Sequence, residues 1–465
     1  MAAADSAMGY ETLAPNARSL ATAAAPDMLS GPLLPLLARL ALPTVAVMFM
    51  VTLLSVAETY FVSVLGTDAI AAASMVVPVI LLMTMVSNGG IGGGVSSAIA
   101  HARGAGRMEE AESLVWHALL LGVAFGAAFT ISLWAAGPWL YRFLGGRGAS
   151  LEQAVRYSNI LFGGAAASWA LTLLQAALRG TGNVKVPALV IAGSVLTGLL
   201  ISPALISGWY GLPRLGVAGA GIAQVLTNLL GLLAIVAYMG STSSSLRFRP
   251  HPLRPEHFRA ILRVGVPSSL NAAMSNVALT AATAAAGRYG IAAIAGYGIA
   301  SRLDALLVPI LFGFGTAALT VVATNLGAGQ VERARRAAFV NALFVAGVLE
   351  VLGLMLAFRP QLWLSWFTQS PEVLSVGARY LQILGPTYGL TAIGMELYFA
   401  GQGARRIGWP MAGTAVRLAF AVCATVLAAS AAAELNNAFA LVATGVVWGA
   451  AITLWGFAHV RWREL

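Results

Sequence analysis

Six ionisable side chains lie inside long apolar runs of this chain, where they can only be kept for a reason. Of the 17 acidic residues, Glu58, Asp304, Glu350 and Glu396 are so placed, and of the 27 basic ones Arg302 and Arg417. A charge at the centre of a bilayer costs about 2.5–3.5 kcal/mol on insertion scales, so each must face a cavity or a partner. Glu58 has Ser55 one turn earlier on the same helix face. Apolar surroundings disfavour the charged carboxylate, and a carboxyl that loads and releases a proton or a sodium ion is what ion-driven exchange requires. Arg302 and Asp304 are two residues apart and point in different directions; Asp304 shares a face with Tyr297, seven residues earlier. These positions predict that Asp304 or Glu396 pairs with Arg417, and that Arg302 reaches another acid or a central cleft. Such pairs serve equally as structural links or substrate contacts. Glu350, near Arg359, reads as an interfacial residue. Asn88, Asn228, Asn271 and Asn276, with Tyr297, are candidates for lining a cavity or for hydrogen bonding between helices.

These residues must be positioned by membrane-spanning helices. The chain has 465 residues, 59% hydrophobic and 9% charged, with a mean hydropathy of +0.82. Soluble domains carry about 25% charged residues, so the composition excludes a soluble enzyme, a disordered chain and a nucleic-acid binder. The lone Cys423 excludes an intramolecular disulfide. No nucleophile–base pair, metal-ligand cluster or cofactor motif rises above the apolar background, so neither catalysis nor a cofactor is expected. SNGGIGGGVSS (87–97) lacks the Lys and Ser/Thr of a phosphate loop; Gly89/Gly93 and Gly90/Gly94 instead give two small-xxx-small spacings, a packing surface.

Apolar runs predict spans near 40–64, 70–100, 114–137, 155–178, 186–207 and 217–239. A second set follows at 262–286, 292–324, 337–358, 378–400, 408–430 and 438–459. Residues 1–34 read as a mobile tail. Of the 27 basic residues, 18 fall on the side of the tail and of the 2–3, 4–5, central, 8–9 and 10–11 connections, Arg179 and Arg405 among them, and seven on the other. The positive-inside bias places both termini in the cytoplasm and accounts for the net charge of +10. His117 opens the third span as an interfacial residue; Trp139, Tyr141, Trp363, Trp366 and Trp455 read as interfacial anchors.

The two halves repeat. Arg39, Pro43 and Gly66 match Arg263, Pro267 and Gly290 at an offset of 224, and GAGRMEEAES (104–113) matches GAGQVERARR (327–336) at five of ten positions. Six spans per half make the repeats parallel, related by an axis along the membrane normal. The expected fold is an all-α membrane protein of twelve transmembrane helices in two six-helix lobes. The tail is 1–34, the N-lobe 35–240, a cytoplasmic linker 241–260 and the C-lobe 261–465. Two such lobes suggest a cleft exposed alternately to each side.

AETYFVSVLGTDAIAA (57–72), ATNLGAGQVERAR (323–335), RGTGNVKVP (179–187), AGQGARRIGWP (400–410) and GLPRLGVAGAGIAQV (211–225) resemble, in order and over residues 35–460, the multidrug and toxic compound extrusion (MATE) family. That family belongs to a wider superfamily containing flippases for lipid-linked sugars. The resemblance implies exchange of protons or sodium ions for organic, often cationic, amphipathic compounds across the cytoplasmic membrane, by a protein that works as a monomer. It places Glu58 where the family has its coupling aspartate. Where many members carry an asparagine and an aspartate before a proline in the fifth span, this chain has Gly198 and Ser202 before Pro203. That favours protons over sodium, which wants several oxygen ligands. A flippase is the alternative; its anionic head groups would want several cations, and only Arg302 and Arg417 lie within spans.

Overall fold

The computed structural model describes residues 26–211, 213–242, 244–429, 434–459 and Trp462. Among them the secondary structure is helical throughout. The helices are α1 (Leu33–Ser63), α2 (Thr67–Gly104), α3 (Met108–Phe143), α4 (Gly148–Gly163), α5 (Ala165–Gly180), α6 (Lys185–Ser207) and α7 (Val217–Gly240). Then come α8 (Pro255–Gly287), α9 (Ile291–Gly327), α10 (Val331–Phe358), α11 (Pro371–Leu384), α12 (Tyr388–Gly403), α13 (Gly408–Leu427) and α14 (Leu435–His459). Nine of these are long and apolar enough to cross a membrane; α4 and α5, bent by 47° at their junction, make a tenth if taken as one span. The two remaining expected spans fall on α8, whose first turns are charged, and on α11–α12, interrupted by a 3-10 turn at Gly385–Thr387. Large apolar side chains such as Leu53, Leu189, Leu200, Val351 and Val426 stand exposed on the outer surface, as a chain solvated by lipid requires.

Two cores carry most of the burial. One gathers residues between 72 and 261, around Trp169, Phe162 and Tyr141; the other gathers residues between 282 and 462, together with Met28–Ala41 and Val184. Tyr141 is wholly buried and donates to Ser158 Oγ at 2.7 Å, so it is a core residue rather than the interfacial anchor expected. Residues 26–34, expected within a mobile tail, are docked. Asn325 Nδ2 and Arg333 Nε donate to the Met28 carbonyl, and Arg333 Nη2 to that of Gly31. The connection 241–257 is tied down as well, with Leu246 fully buried and Arg247 N–H donating to Glu112 Oε1 at 3.2 Å. His117, expected at an interface, lies buried beneath this connection. Its Nδ1–H donates to the Ser113 carbonyl and its Nε2 accepts the N–H of Arg254 at 2.9 Å.

The backbone repeats its turns as the sequence repeats its motifs. Gly66 (φ 102°) and Gly290 (φ 99°) open α2 and α9, and Gly106 (φ 73°) and Gly329 (φ 74°) follow their ends. Side chains are disfavoured there. Gly182 (φ 81°) corresponds to Arg405 (φ 56°) at an offset of 223, that of Gly106 and Gly329, so an arginine occupies a left-handed position that its counterpart leaves to glycine.

Where the halves meet, α2 departs from regular helix in a π-helical stretch, Met85–Ile91. Of the four glycines expected to pack, Gly90, Gly93 and Gly94 do, whereas a β-carbon on Gly89 would meet nothing within 4 Å. A β-carbon on Gly90 would strike Ser269, on Gly93 Gln402, and on Gly94 the Ile261 carbonyl.

Candidate functional site

Periodicity builds a cavity in the first half. Ser55, Glu58, Thr59 and Val62 of α1 follow the i, i+3, i+4, i+7 pattern of one helix face. They face Ala220, Gln224 and Asn228 of α7, Tyr157 and Leu161 of α4, Ser168 of α5 and one flank of α2, around about 290 Å3. Gln224 Nε2 donates to Asn228 Oδ1 at 3.4 Å. Among the described residues the Glu58 carboxylate forms no ion pair within 4.0 Å. The structure thus brings the expected Ser55, Glu58 and Asn228 together. It adds Tyr157, Gln224 and Ser168, for which the readable signals were Gln224 four residues before Asn228 and the repeated Arg-Tyr pairs, Arg156-Tyr157 and Arg379-Tyr380. Ser202 is buried away from this cavity with no hydrogen-bond partner for its hydroxyl.

Asp304, Glu350 and Glu396, the intramembrane acids of the second half, are engaged by neutral donors, not by arginine. Asp304 accepts from the hydroxyls of Tyr380 and Tyr388, each at 2.5 Å. Tyr297 is buried edge-on to Tyr380, with centroids 5.3 Å apart, and stacks on Phe439. It belongs to this closed aromatic cluster rather than to a cavity wall. Glu396, fully buried, accepts from Asn341 Nδ2 at 2.5 Å. The expected ion pair with Arg417 is therefore absent among the described residues: neither carboxylate comes within 4.0 Å of it, although Asp304 lies near enough for its charge to act on Arg417. The tyrosines win because two short hydroxyl bonds satisfy a carboxylate without burying a second charge. Arg302 reaches neither acid nor cleft; it is exposed, 6.0 Å from the Phe367 ring centre. Glu350, expected at the interface, is half-buried. It accepts the Gly389 N–H at 2.7 Å, capping α12 where Pro386 has interrupted the helix.

The asparagines divide. Asn271 is buried and lines a small second cavity with Tyr398 and Arg417. Asn276 is half-buried and contacts Met85 Sδ. Asn88 accepts from Arg179 Nη2 at 2.8 Å. Sequence reasoning misplaced Arg179, which was assigned to a solvated loop; it is 4% exposed and stands 6.0 Å from the Phe312 ring centre. With Arg179 the seam between the halves comes into view. Ser97 Oγ donates to the Gln402 carbonyl and Thr320 Oγ1 to the Arg179 carbonyl, two bonds related by the offset of 223.

A helical membrane protein with a cavity lined by Ser55, Glu58, Gln224 and Asn228 among apolar side chains has the make-up of a transporter. The profile named MatE matches residues 43–204 and again 267–429, and the chain belongs to the MatE family of transporters. It is 28% identical to the FAD transporter of Shewanella oneidensis over 80% of this chain and 82% of that one. It is equally 28% identical to the multidrug resistance protein NorM of Burkholderia vietnamiensis, over 73% of each. A solved structure described as the outward-facing conformation of a multidrug resistance MATE family transporter of the MOP superfamily superposes with a TM-score of 0.81. It is 24% identical and covers 94% of this chain and 98% of that one. A MOP superfamily transporter from Pyrococcus furiosus, also 24% identical with the same coverage, gives 0.83.

Proposed function

We propose that the chain is a multidrug-type exporter, an antiporter exchanging protons for organic, amphipathic, typically cationic compounds across the cytoplasmic membrane by alternating access. In this reading twelve helices form two lobes, residues 35–240 and 261–465, around a linker at 241–260; both termini are cytoplasmic and the monomer is the working unit. The observation that carries it is Glu58, a carboxyl with no ion-pair partner among the described residues, in a 290 Å3 cavity among Ser55, Tyr157, Gln224 and Asn228. Protonation of Glu58 from outside changes the packing of α1, α6 and α7, narrows the cavity and expels substrate; a substrate cation entering from inside favours the deprotonated state. Gly198 and Ser202, in place of further oxygen-rich ligands, support protons over sodium. The multidrug resistance proteins among the relatives support the substrate class. The flippase reading is weakened by Arg302, which lies exposed against Phe367 instead of supplying a cation to the cleft.

The test is efflux of a fluorescent organic cation from proteoliposomes under an imposed pH gradient. Wild-type protein should concentrate the dye against its gradient, and Glu58→Gln should abolish that while leaving dye binding in place. Concentrative efflux that survives in Glu58→Gln moves the coupling to Asp304 or Glu396.

A further inference from the structure

The second cavity is small, about 30 Å3, room for roughly two waters or one carboxylate group. Its lining is polar for its size, with Asn271, Ser275, Thr391, Tyr398, Thr414 and Arg417. Two features mark it as built for a polar occupant. First, Asn271 is 4% exposed and its Oδ1 has no hydrogen-bond partner among the described residues. A buried acceptor left so costs about 1–3 kcal/mol unless something entering the cavity donates to it. Second, Arg417 lies in a groove cut by glycine. A β-carbon on Gly449 would stand 2.7 Å from Arg417 Cγ and 3.0 Å from Cδ, and one on Gly445 would stand 3.4 Å from its Cα. Two glycines four residues apart on α14 thus bed the aliphatic stem of a residue that lines the cavity. Asp304, the carboxylate whose charge acts on Arg417, is occupied by two tyrosine hydroxyls, and among the described residues Arg417 makes no ion pair. A cation costly to insert, given a fitted bed and no contact counter-ion, has its planar fork of donors available for a planar anion.

Building on the exporter reading, we infer that Arg417 and Asn271 form a subsite for a carboxylate carried by the transported compound, so that the preferred substrates are amphipaths bearing a carboxylate. The guanidinium donates to the carboxylate oxygens, and an N–H, O–H or water beside the group satisfies Asn271 Oδ1. The subsite lies in the second half, apart from the Glu58 cavity. It acts on substrate choice, and coupling does not pass through it.

The experiment uses one dye in two forms, tetraethylrhodamine with its free carboxylate and the ethyl ester of that carboxylate. Equilibrium binding to purified full-length protein in detergent is measured beside efflux from proteoliposomes. Wild-type protein should bind the acid about tenfold more tightly than the ester, the worth of one charge-assisted contact. Arg417→Gln should erase that ratio by weakening acid binding alone, and Arg417→Lys should restore part of it. Gly449→Ala, which crowds the stem while keeping the charge, should reduce the ratio as well and serves if Arg417→Gln does not fold. Equal binding of acid and ester by wild-type protein, or an acid-to-ester ratio unchanged in the Arg417 variants, overturns the subsite whatever the efflux result. A wild-type preference for the acid that Arg417→Gln removes, found without any pH-driven efflux, upholds the subsite and refutes the antiporter instead.

Discussion

Alanine at Gly104 asks whether the seam between the halves is a closing surface. Its β-carbon would stand 2.1 Å from the Thr324 carbonyl oxygen, and one on Gly327, the counterpart at an offset of 223, would stand 2.3 Å from the carbonyl of His101. Both obstacles are backbone, so no side chain can swing aside, and the ends of α2 and α9 must part by roughly 1 Å to reach an ordinary carbon contact. Forcing extra volume into a close-packed contact costs about 1–3 kcal/mol. If the open state lacks the contact, that cost changes the closed-to-open ratio by about 5- to 150-fold. Gly89 is the internal control, since a β-carbon there meets nothing within 4 Å. Spin labels on cysteines placed at Ala105 and Ala328, in a chain whose exposed Cys423 is replaced by serine, report the separation. Gly104→Ala and Gly327→Ala should each lengthen it and slow efflux, and Gly89→Ala should do neither. Distance distributions in Gly104→Ala identical to those in Gly89→Ala would show that the seam does not separate during transport.

Two further outcomes follow from the turns and the linker. Arg405 holds a left-handed backbone conformation, at φ 56°, that costs an L-residue roughly 1–2 kcal/mol; Arg405→Gly should raise the melting temperature, and a lower one would mean that its side chain stabilises more than its backbone costs. His257 bonds to Ser113 Oγ through Nδ1 at 2.9 Å, beside His117, Glu110, Arg254 and Glu256. Burial, and next the adjacent His117, hold its pKa below the ordinary histidine value of 6.5. The folded state therefore favours the neutral ring; the stability this gives is full above about pH 6.5 and is lost as the pH falls below it. Hydrogen exchange across residues 246–256, corrected for intrinsic rates, should accelerate between about pH 7 and pH 5 in wild type, and equal protection at both values would contradict this.

The positions of the helices were legible because lipid imposes one rule, a sustained apolar run, and because the same motifs appear twice. Ser55, Glu58 and Asn228 were legible as well, since an acid in such a run has few places to go. What could not be read was partnership across the chain. Arg179 follows an apolar helix and precedes a glycine turn, so its charge argued for a solvated loop; nothing local foretells that Asn88 and the Phe312 ring, 91 and 133 positions away, receive it. Asp304 invited an arginine because opposite charges attract, yet the repeat that supplied Tyr380 had already provided a less costly partner. Glu350 was misjudged for a similar reason: its role depends on the break at Pro386, which sets free an N–H on another helix. Spacing within one helix fixes faces, and these three residues are decided by which faces meet.

The contacts at the seam and the two cavities obey different constraints, and the difference bears on mechanism. At the seam the chain keeps its symmetry. Gly104 against Thr324 mirrors Gly327 against His101, and the bond from Ser97 to the Gln402 carbonyl mirrors that from Thr320 to the Arg179 carbonyl. If the seam opens and closes as one in the proposed alternating-access cycle, it is constrained equally in both halves, which would keep the repeat there. Away from the seam the halves diverge. The Glu58 cavity of the first half measures about 290 Å3 and presents one acid; the Arg417 cavity of the second measures about 30 Å3 and presents one arginine, and the buried acids of that half are tied to hydroxyl, amide or backbone donors. Had both halves served coupling, the acids of the second would need an exchangeable proton and a path to solvent. Asp304 instead lies behind Tyr380 and Tyr388, and Glu396 is wholly enclosed with Asn341. The division of charge therefore argues for a division of labour on a common frame, with ion exchange assigned to the Glu58 cavity and substrate discrimination to Arg417.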